Sequence, residues 1–558
     1  MSGGRPILCY HNEGSCTFGS NSKFLKRYLP TVPKIMSDEK ASQFGEATPD
    51  AGCLLTEAEE DACGENVCIA VQGCCHGELE KIYETVQYIQ TAKNKKIDLL
   101  ICCGDFQAVR DHEDLLSMAV PPKYRQMGVF KDYYSGVKTA PVLTLFIGGN
   151  HEASKHLWEL PFGGWVAPNI YYLGYAGVVN YGGFKIGGIS GIYKDHDFYK
   201  GHFEMPPFND STMRSIYHTR SYEVFKLKVL KEHLDIFISH DWPKNVYNYG
   251  DVEDLLRKKR FFREEVESKR LGSPACLELL KALKPSFWFA AHLHVKFAAL
   301  VEHKENGDGE KTFTKFLALD KCLPNRNFLQ VIDMGPSTGK KELQYDEEWL
   351  AVTKSTYTLY NATSRATWVP RNDEELEKYR ITDKQINEIR ETFKDLSIPQ
   401  NFERTNSSNS KSGNSNNQTM ELCEKLDIKN PCNISIIRKT ENYGHSNKVG
   451  SRDTSSDLDS SSSDDFNEIP NFAGDPSEIS LDDDSSDDGD ESALSSTSFS
   501  KSSEVDSQAE SKEMKRKHSS DEFSDEPSQK PTFLVRRNKA LYASLDDDNS
   551  GSSSSDCL

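Results

Sequence analysis

Five short apolar runs, spread between residues 67 and 294, each end in side chains of the kind that bind metals. Run 67–71 leads to Gly73, Cys74 and His76, and run 97–103 to Gly104 and Asp105. Run 142–147 leads to Gly149, Asn150, His151 and Glu152, run 235–239 to His240, and run 287–291 to His292 and His294. Continuous apolar runs, rather than alternating ones, describe strands buried on both faces. A helical stretch over 78–93, with Leu79, Ile82, Val86 and Ile89 at helical spacing, separates the first two runs. The expected fold is therefore α/β with layered, buried sheets. Strand C-termini line the crevice of such folds, so residues far apart in the chain can meet there.

The spacing has a chemical reading. In extended chain, residues i and i+2 point to one side, so Cys74 with His76, and His292 with His294, can each aim at one centre. The two oxygens of Asp105 can bridge a pair of metals. Two metals about 3.5–4 Å apart suit phosphate-ester cleavage, because they stabilise the attacking and the leaving oxygen together. A lone H-x-H is weak evidence, whereas five polar strand ends in order are not coincidence. Cys75 should face away from the centre as a core thiol.

Charge first seems to exclude a nucleic-acid substrate, since the net charge is −19. Its distribution removes that objection. Residues 451–558 hold 27 acidic and 10 basic side chains and 30 serines, which leaves the other 450 residues with 59 acidic and 57 basic ones. A Ser/Asp-rich segment of this kind cannot bury enough apolar surface to order itself. Residues 1–66, with an isolated Cys9-x-His11 pair, are likewise expected to be disordered. No run of 18 apolar residues exists, and no signal-peptide pattern opens the chain, so no membrane association is expected. The fourteen cysteines read as reduced thiols of an intracellular protein. Lys515-Arg516-Lys517 and Arg536-Arg537 offer nuclear import signals, and tail serines beside Asp or Glu, such as Ser463-Asp464, suit acid-directed kinases.

The series GCCHG, GD, GGNHE, SH and AHLH resembles the calcineurin-like metallophosphoesterase superfamily. It departs from that pattern at Cys74, where an aspartate is usual, and at Ala291, where glycine is usual. With QGCCHGELEKIYE, LLICCGDFQAVR, FGGWVAPNIYYLG, GGISGIYK and FISHDWP, the stretch from about 67 to 395 resembles the RNA lariat debranching enzyme family. The resemblance implies a metallophosphoesterase β-sandwich flanked by helices over 67–305, with a lariat-recognition loop at 190–220. It also implies a small C-terminal domain at 306–400 and a disordered acidic tail at 401–558.

It implies Cys74, His76, Asp105 and His294 around one metal, and Asp105, Asn150, His240 and His292 around the other. Hydroxide activated by the metals would attack phosphorus, and His151 would assist departure of the 2′ oxygen. Glu152 would orient His151 or its neighbours. A thiolate at Cys74 favours soft metals, so Fe²⁺ and Zn²⁺ are the implied cofactors, with Mn²⁺ as an in vitro substitute. The alternative is a Cys74 that makes no bond and leaves its site weak. Tyr193, Lys194, Phe198, Tyr199, Lys200, Arg214, Tyr217 and Arg220 would bind substrate, since aromatics stack bases and cations meet phosphates. A second basic-aromatic cluster lies at 258–263. The implied function is hydrolysis of the 2′-5′ phosphodiester of excised intron lariat RNA, linearising it for turnover and for release of intron-encoded small RNAs. It would be performed by a nuclear monomer, shuttling to the cytoplasm, with spliceosome-associated partners. Two rival readings are a generic phosphoesterase and a non-catalytic RNA-gripping scaffold. The full donor set and His151 argue against the second.

Overall fold

A computed structural model describes residues 65–303, 311–405 and 416–433. The expectations for residues 1–64 and 434–558, import signals and phosphorylation sites included, lie outside the described residues. Among the described residues, thirteen strands form two sheets. In chain order they are β1 (Asn66–Gln72), β2 (Leu99–Cys102), β3 (Leu143–Phe146), β4 (Gly164–Ala167), β5 (Ile170–Tyr172), β6 (Ala176–Tyr181) and β7 (Phe184–Ile189). They continue as β8 (Ile236–Ser239), β9 (Phe287–Ala290), β10 (Phe297–His303), β11 (Thr312–Ala318), β12 (Leu329–Pro336) and β13 (Gln344–Tyr345). One sheet runs β12-β1-β2-β3-β5-β4, and the other β10-β11-β9-β8-β7-β6-β13.

All five apolar runs are strands, and each is parallel to at least one neighbour in its sheet. Their registers bring the C-terminal ends level: Gln72 pairs with Cys102 and Cys102 with Phe146, while Ile238 pairs with Phe289. Alternate residues go to opposite faces. Val67, Ile69, Val71, Ile101 and Leu145 meet Ile186, Ile236, Ile238 and Phe289 between the sheets. Cys68, Ala70, Leu100 and Phe146 face outward, under Leu79, Ile82 and Val86 of α1 (Leu79–Lys93). The other sheet's outer face is covered by α2 (Ser221–Val229), α3 (Pro274–Leu283), α4 (Glu347–Thr356) and α5 (Asp383–Phe393). Cys75 packs in the outer core and Cys74 in the inter-sheet core, opposite sides as expected.

The expected boundary at 305/306 falls inside the β10–β11 antiparallel pair. Beyond it, β11 lies parallel to β9 and β12 antiparallel to β1, so the C-terminal segment completes both sheets. The expectation of disorder from 401 needs correction, because α6 (Asn417–Leu426) buries Thr419, Leu422, Cys423 and Leu426 against the fold. The Gln418 amide accepts a hydrogen bond from Trp165 N–H at 2.7 Å and donates one to Trp165 O at 2.9 Å. Trp165 lies in edge strand β4, so this side chain stands in for a missing neighbour. Asn- and Ser-rich composition around the helix concealed four correctly spaced buried residues. Leu426 is fully buried, and Leu426→Ala is expected to cost about 2–5 kcal/mol. An unshifted urea midpoint would show that the helix contributes nothing to stability.

Candidate metal centre

The level strand ends place the loops after β1, β2, β3, β8 and β9 around one point. Their backbone is not extended there. His76, Asp105, His292 and His294 have φ of 47°, 50°, 63° and 48°. Cys74 with His76, and His292 with His294, therefore reach the centre through left-handed turns rather than by strand alternation. Such turns cost of order 1–3 kcal/mol each and persist where the surroundings hold them. Two glycines make the approach possible. A Cβ on Gly104 would lie 2.3 Å from His240 Nδ1, and one on Gly149 would lie 2.2 Å from Asp105 Oδ1. The methyl of Ala291, the departure from glycine, fits in the inter-sheet core.

Donor atoms of Cys74, His76, Asp105 and His294 all lie within 4.8 Å of one another. His76 Nε2 is 3.2 Å from His294 Nε2 and 3.6 Å from Asp105 Oδ2. On the other side, His240 Nε2 lies 3.4 Å from Asp105 Oδ1, and the His240 and His292 rings are 5.0 Å apart. The two oxygens of Asp105 thus address two half-sites. His240 Nδ1 donates to Cys103 O at 2.7 Å, which fixes the tautomer and turns Nε2 inward. Asp105 Oδ2, Asn150 Oδ1 and His240 Nε2 are buried without a hydrogen-bond partner. Buried polar atoms are rarely left so, and those of Asp105 and His240 belong to side chains 3.4 Å apart. This donor set fits a pair of divalent cations.

The protonation of three of the histidines points the same way. Burial, and the neighbouring histidines, hold His76 at about 4 and His292 at about 3, and push His294 well below the usual range. All three are neutral imidazoles with lone pairs to give. For His240, burial opposes charge, but the Asp105 carboxylate overcomes it and raises the group to about 9. Burial and Asp105 raise the Cys74 thiol well above its ordinary value, against the His292 N–H that donates to its sulfur at 3.1 Å. A cation beside the sulfur would favour thiolate.

His151 stands beside this donor set. Its backbone N–H donates to Asp105 Oδ1 at 2.9 Å, and its ring is 5.7 Å from that of His76. Asn150 Nδ2 donates to His151 Nε2 at 3.2 Å, so the ring proton of the neutral form sits on Nδ1. Glu152 holds the neighbours of His151 rather than its ring: it accepts from the backbone N–H groups of Phe106 and Gln107 at 2.8 Å and Gly149 at 2.9 Å. It ties the β2 and β3 loops together. Burial, then Asp105, raises it to about 7. Sequence reading also missed Asp241, whose Oδ1 lies 3.8 Å from His292 Nε2 and whose Oδ2 accepts from Tyr193 N–H at 2.9 Å. Its place directly after a strand-end histidine was the available signal.

The residues expected to bind substrate divide into two groups. Tyr199 and Arg214 are exposed, and Lys200 is half-buried with Asp197 at 2.7 Å. Lys194 is buried, and its charge lowers the proton affinity of His292. Phe198 and Tyr217 are buried in apolar clusters, and Tyr193 packs against one. Arg220 is fully buried and donates to the Glu204 carboxylate, to Ser215 O and to Asp197 O. It therefore braces the loop from inside and offers RNA no surface. His218 and His202 serve structure too, held by Asp197 at 2.6 Å and Glu223 at 3.0 Å. In the 258–263 cluster, Lys258 pairs with Asp254 at 2.6 Å and Phe262 is buried.

Residues 69–296 match the family model described as calcineurin-like phosphoesterase, and residues 311–431 match the lariat debranching enzyme C-terminal domain. Lariat debranching enzyme A of Xenopus laevis is 63% identical over 306 residues, covering 55% of this chain and 57% of that protein. The Danio rerio lariat debranching enzyme is 50% identical over 428 residues, 74% of each chain. The Homo sapiens enzyme is 58% identical over 342 residues, 60% of this chain and 63% of that one. The match thus spans under two thirds of the frog and human proteins and about three quarters of the fish one. With both family models matched in order, the chain belongs to the lariat debranching enzyme family of calcineurin-like phosphoesterases.

Proposed function

We propose that this protein hydrolyses the 2′-5′ phosphodiester at the branch point of intron lariat RNA. The observation that carries the reading is the convergence of Cys74, His76, Asp105 and His294 on one point, with His240 against the other oxygen of Asp105 and His151 beside them, in a chain of this family. Divalent cations held there would supply Lewis acidity to the scissile phosphate and to the attacking water. Cys74, His76, Asp105 and His294 would hold one, and Asp105, Asn150, His240 and His292 the other. As the water oxygen forms its bond to phosphorus and the bond to the 2′ oxygen breaks, the protonated form of His151 would give a proton to the departing 2′ oxygen, leaving a 5′ phosphate on the released arm. Glu152 keeps the loops carrying Asp105 and Asn150 in fixed relation. Tyr199 and Arg214 offer a base-stacking ring and a phosphate-binding cation at the surface.

The soft sulfur favours Fe²⁺ or Zn²⁺ on its side, with Mn²⁺ as a substitute in vitro. Cys74→Ser is expected to weaken metal binding in that half by at least about 10-fold, read by metal analysis of anaerobically purified protein. Unchanged stoichiometry would remove Cys74 from the ligand set. Because lariats arise by splicing, the proposed substrate supports a nuclear site of action. The reading is tested by comparing turnover of a 2′-5′ branched oligonucleotide with p-nitrophenyl phosphate. Activity confined to the small ester would overturn it.

A further inference from the structure

Residues 361–371 of the C-terminal segment run antiparallel to part of the 190–220 loop and are stitched to it through the backbone. Thr367 N–H donates to Tyr199 O at 2.6 Å, and Gly201 N–H to Thr363 O and His202 N–H to Asn361 O, each at 2.9 Å. Lys200 and Ala366 form an antiparallel bridge between them. The approach is so close that a Cβ on Gly201 would lie 2.2 Å from Asn361 O. This pairing carries Arg365, Trp368 and Arg371 to the edge of the loop, and all three are exposed. Trp368 leaves 56% of its surface in water. The Arg371 guanidinium lies 4.3 Å from the centroid of the Tyr199 ring. Glu375 accepts from the backbone N–H of Arg371 at 3.4 Å, and among the described residues no carboxylate pairs with the guanidinium.

The rings continue inward. Tyr199 lies 5.0 Å from Phe198, and Phe198 lies 5.2 Å from Tyr193. Tyr193 N–H in turn donates to Asp241, the neighbour of His292. An aromatic series thus leads from the metal centre out to the paired segment. A guanidinium stacked on a ring keeps its N–H groups in its own plane, open to a phosphate. An indole face stacks on any nucleobase. We infer that Trp368 and Arg371 bind the single-stranded RNA arm that leaves the branch point, Trp368 stacking a base and Arg371 holding a phosphate, an inference that rests on the RNA reading above. The backbone bonds to Tyr199, Gly201 and His202 set this surface before RNA arrives, so little ordering entropy is lost on binding.

The test uses the full chain and its Trp368→Ala, Trp368→Phe and Arg371→Gln variants. Each is assayed on a branched trinucleotide, which ends at the branch point, and on branched RNA with arms of about ten nucleotides, within the usual range of a single-stranded site. Melting temperature is measured alongside. Trp368→Ala is expected to raise KM on the long-armed RNA by about 5- to 100-fold, the size of one lost stacking contact, with kcat little changed. The loss on the trinucleotide should be far smaller, and Trp368→Phe should recover most of the long-armed activity. Arg371→Gln should flatten the log–log salt dependence of long-armed KM by about one unit, which decides the matter even if Trp368→Ala melts early. Equal losses on the two substrates, or an unchanged KM and salt slope on the long-armed one, would overturn the inference. Parent protein that fails on both branched substrates would instead sink the functional reading itself.

Discussion

His151→Ala is expected to lower turnover of a branched oligonucleotide by about 10²- to 10⁴-fold, the usual contribution of a positioned proton donor. The substitution is clean for a structural reason. The bond that joins residue 151 to Asp105 is made by the backbone N–H, so alanine keeps it. What disappears is the ring, with Nδ1 and the acceptor for Asn150 Nδ2. Metal content and melting temperature should therefore match the parent while kcat falls and KM changes little. A variant that debranches at the parent rate would mean that solvent protonates the 2′ oxygen, and His151 would lose its catalytic role.

The second large effect concerns stability. Arg220 is fully buried, and Glu204, its carboxylate partner, is 1% exposed. Removing one member of a buried pair strands the other, at a cost of about 3–5 kcal/mol. Arg220→Met should lower the urea midpoint accordingly and raise KM for RNA by loosening the 190–220 loop. Pairing it with Glu204→Leu should recover much of the stability, because two apolar side chains leave no charge uncompensated. If the single variant is as stable as the parent, Arg220 is not a brace and an RNA-contact role reopens.

These cases show why some of the molecule was legible in sequence and some was not. Metal chemistry demands particular residue types at the ends of apolar runs, so Cys74, Asp105, Asn150, His240 and His292 announced themselves. The turns that aim them did not, since a positive φ at His76 or His294 leaves no mark in residue identity. An arginine among aromatics reads as a phosphate ligand, but whether it faces outward depends on its partner. For Arg220 that partner lies sixteen positions away, across a loop. Likewise, Gln418 looks like linker composition until the backbone of Trp165 is seen beside it.

The pairing of β1 with β12 has a consequence for synthesis. The first of the described strands gains its second neighbour only after more than 250 further residues have been made, as Gln72 pairs with Leu329 and Asn66 with Pro336. Strand partners so distant in the chain pay their loop-closure entropy late. A nascent chain that has left the ribosome only as far as residue 305 holds every metal-binding motif, yet β1 and β9 each lack a flanking strand. Translation stalled or terminated in that interval should therefore yield a protease-sensitive product with open sheet edges, suited to chaperone capture. Competence to bind metal would then arrive as a single late event, when residues 312–336 emerge and close both sheets together.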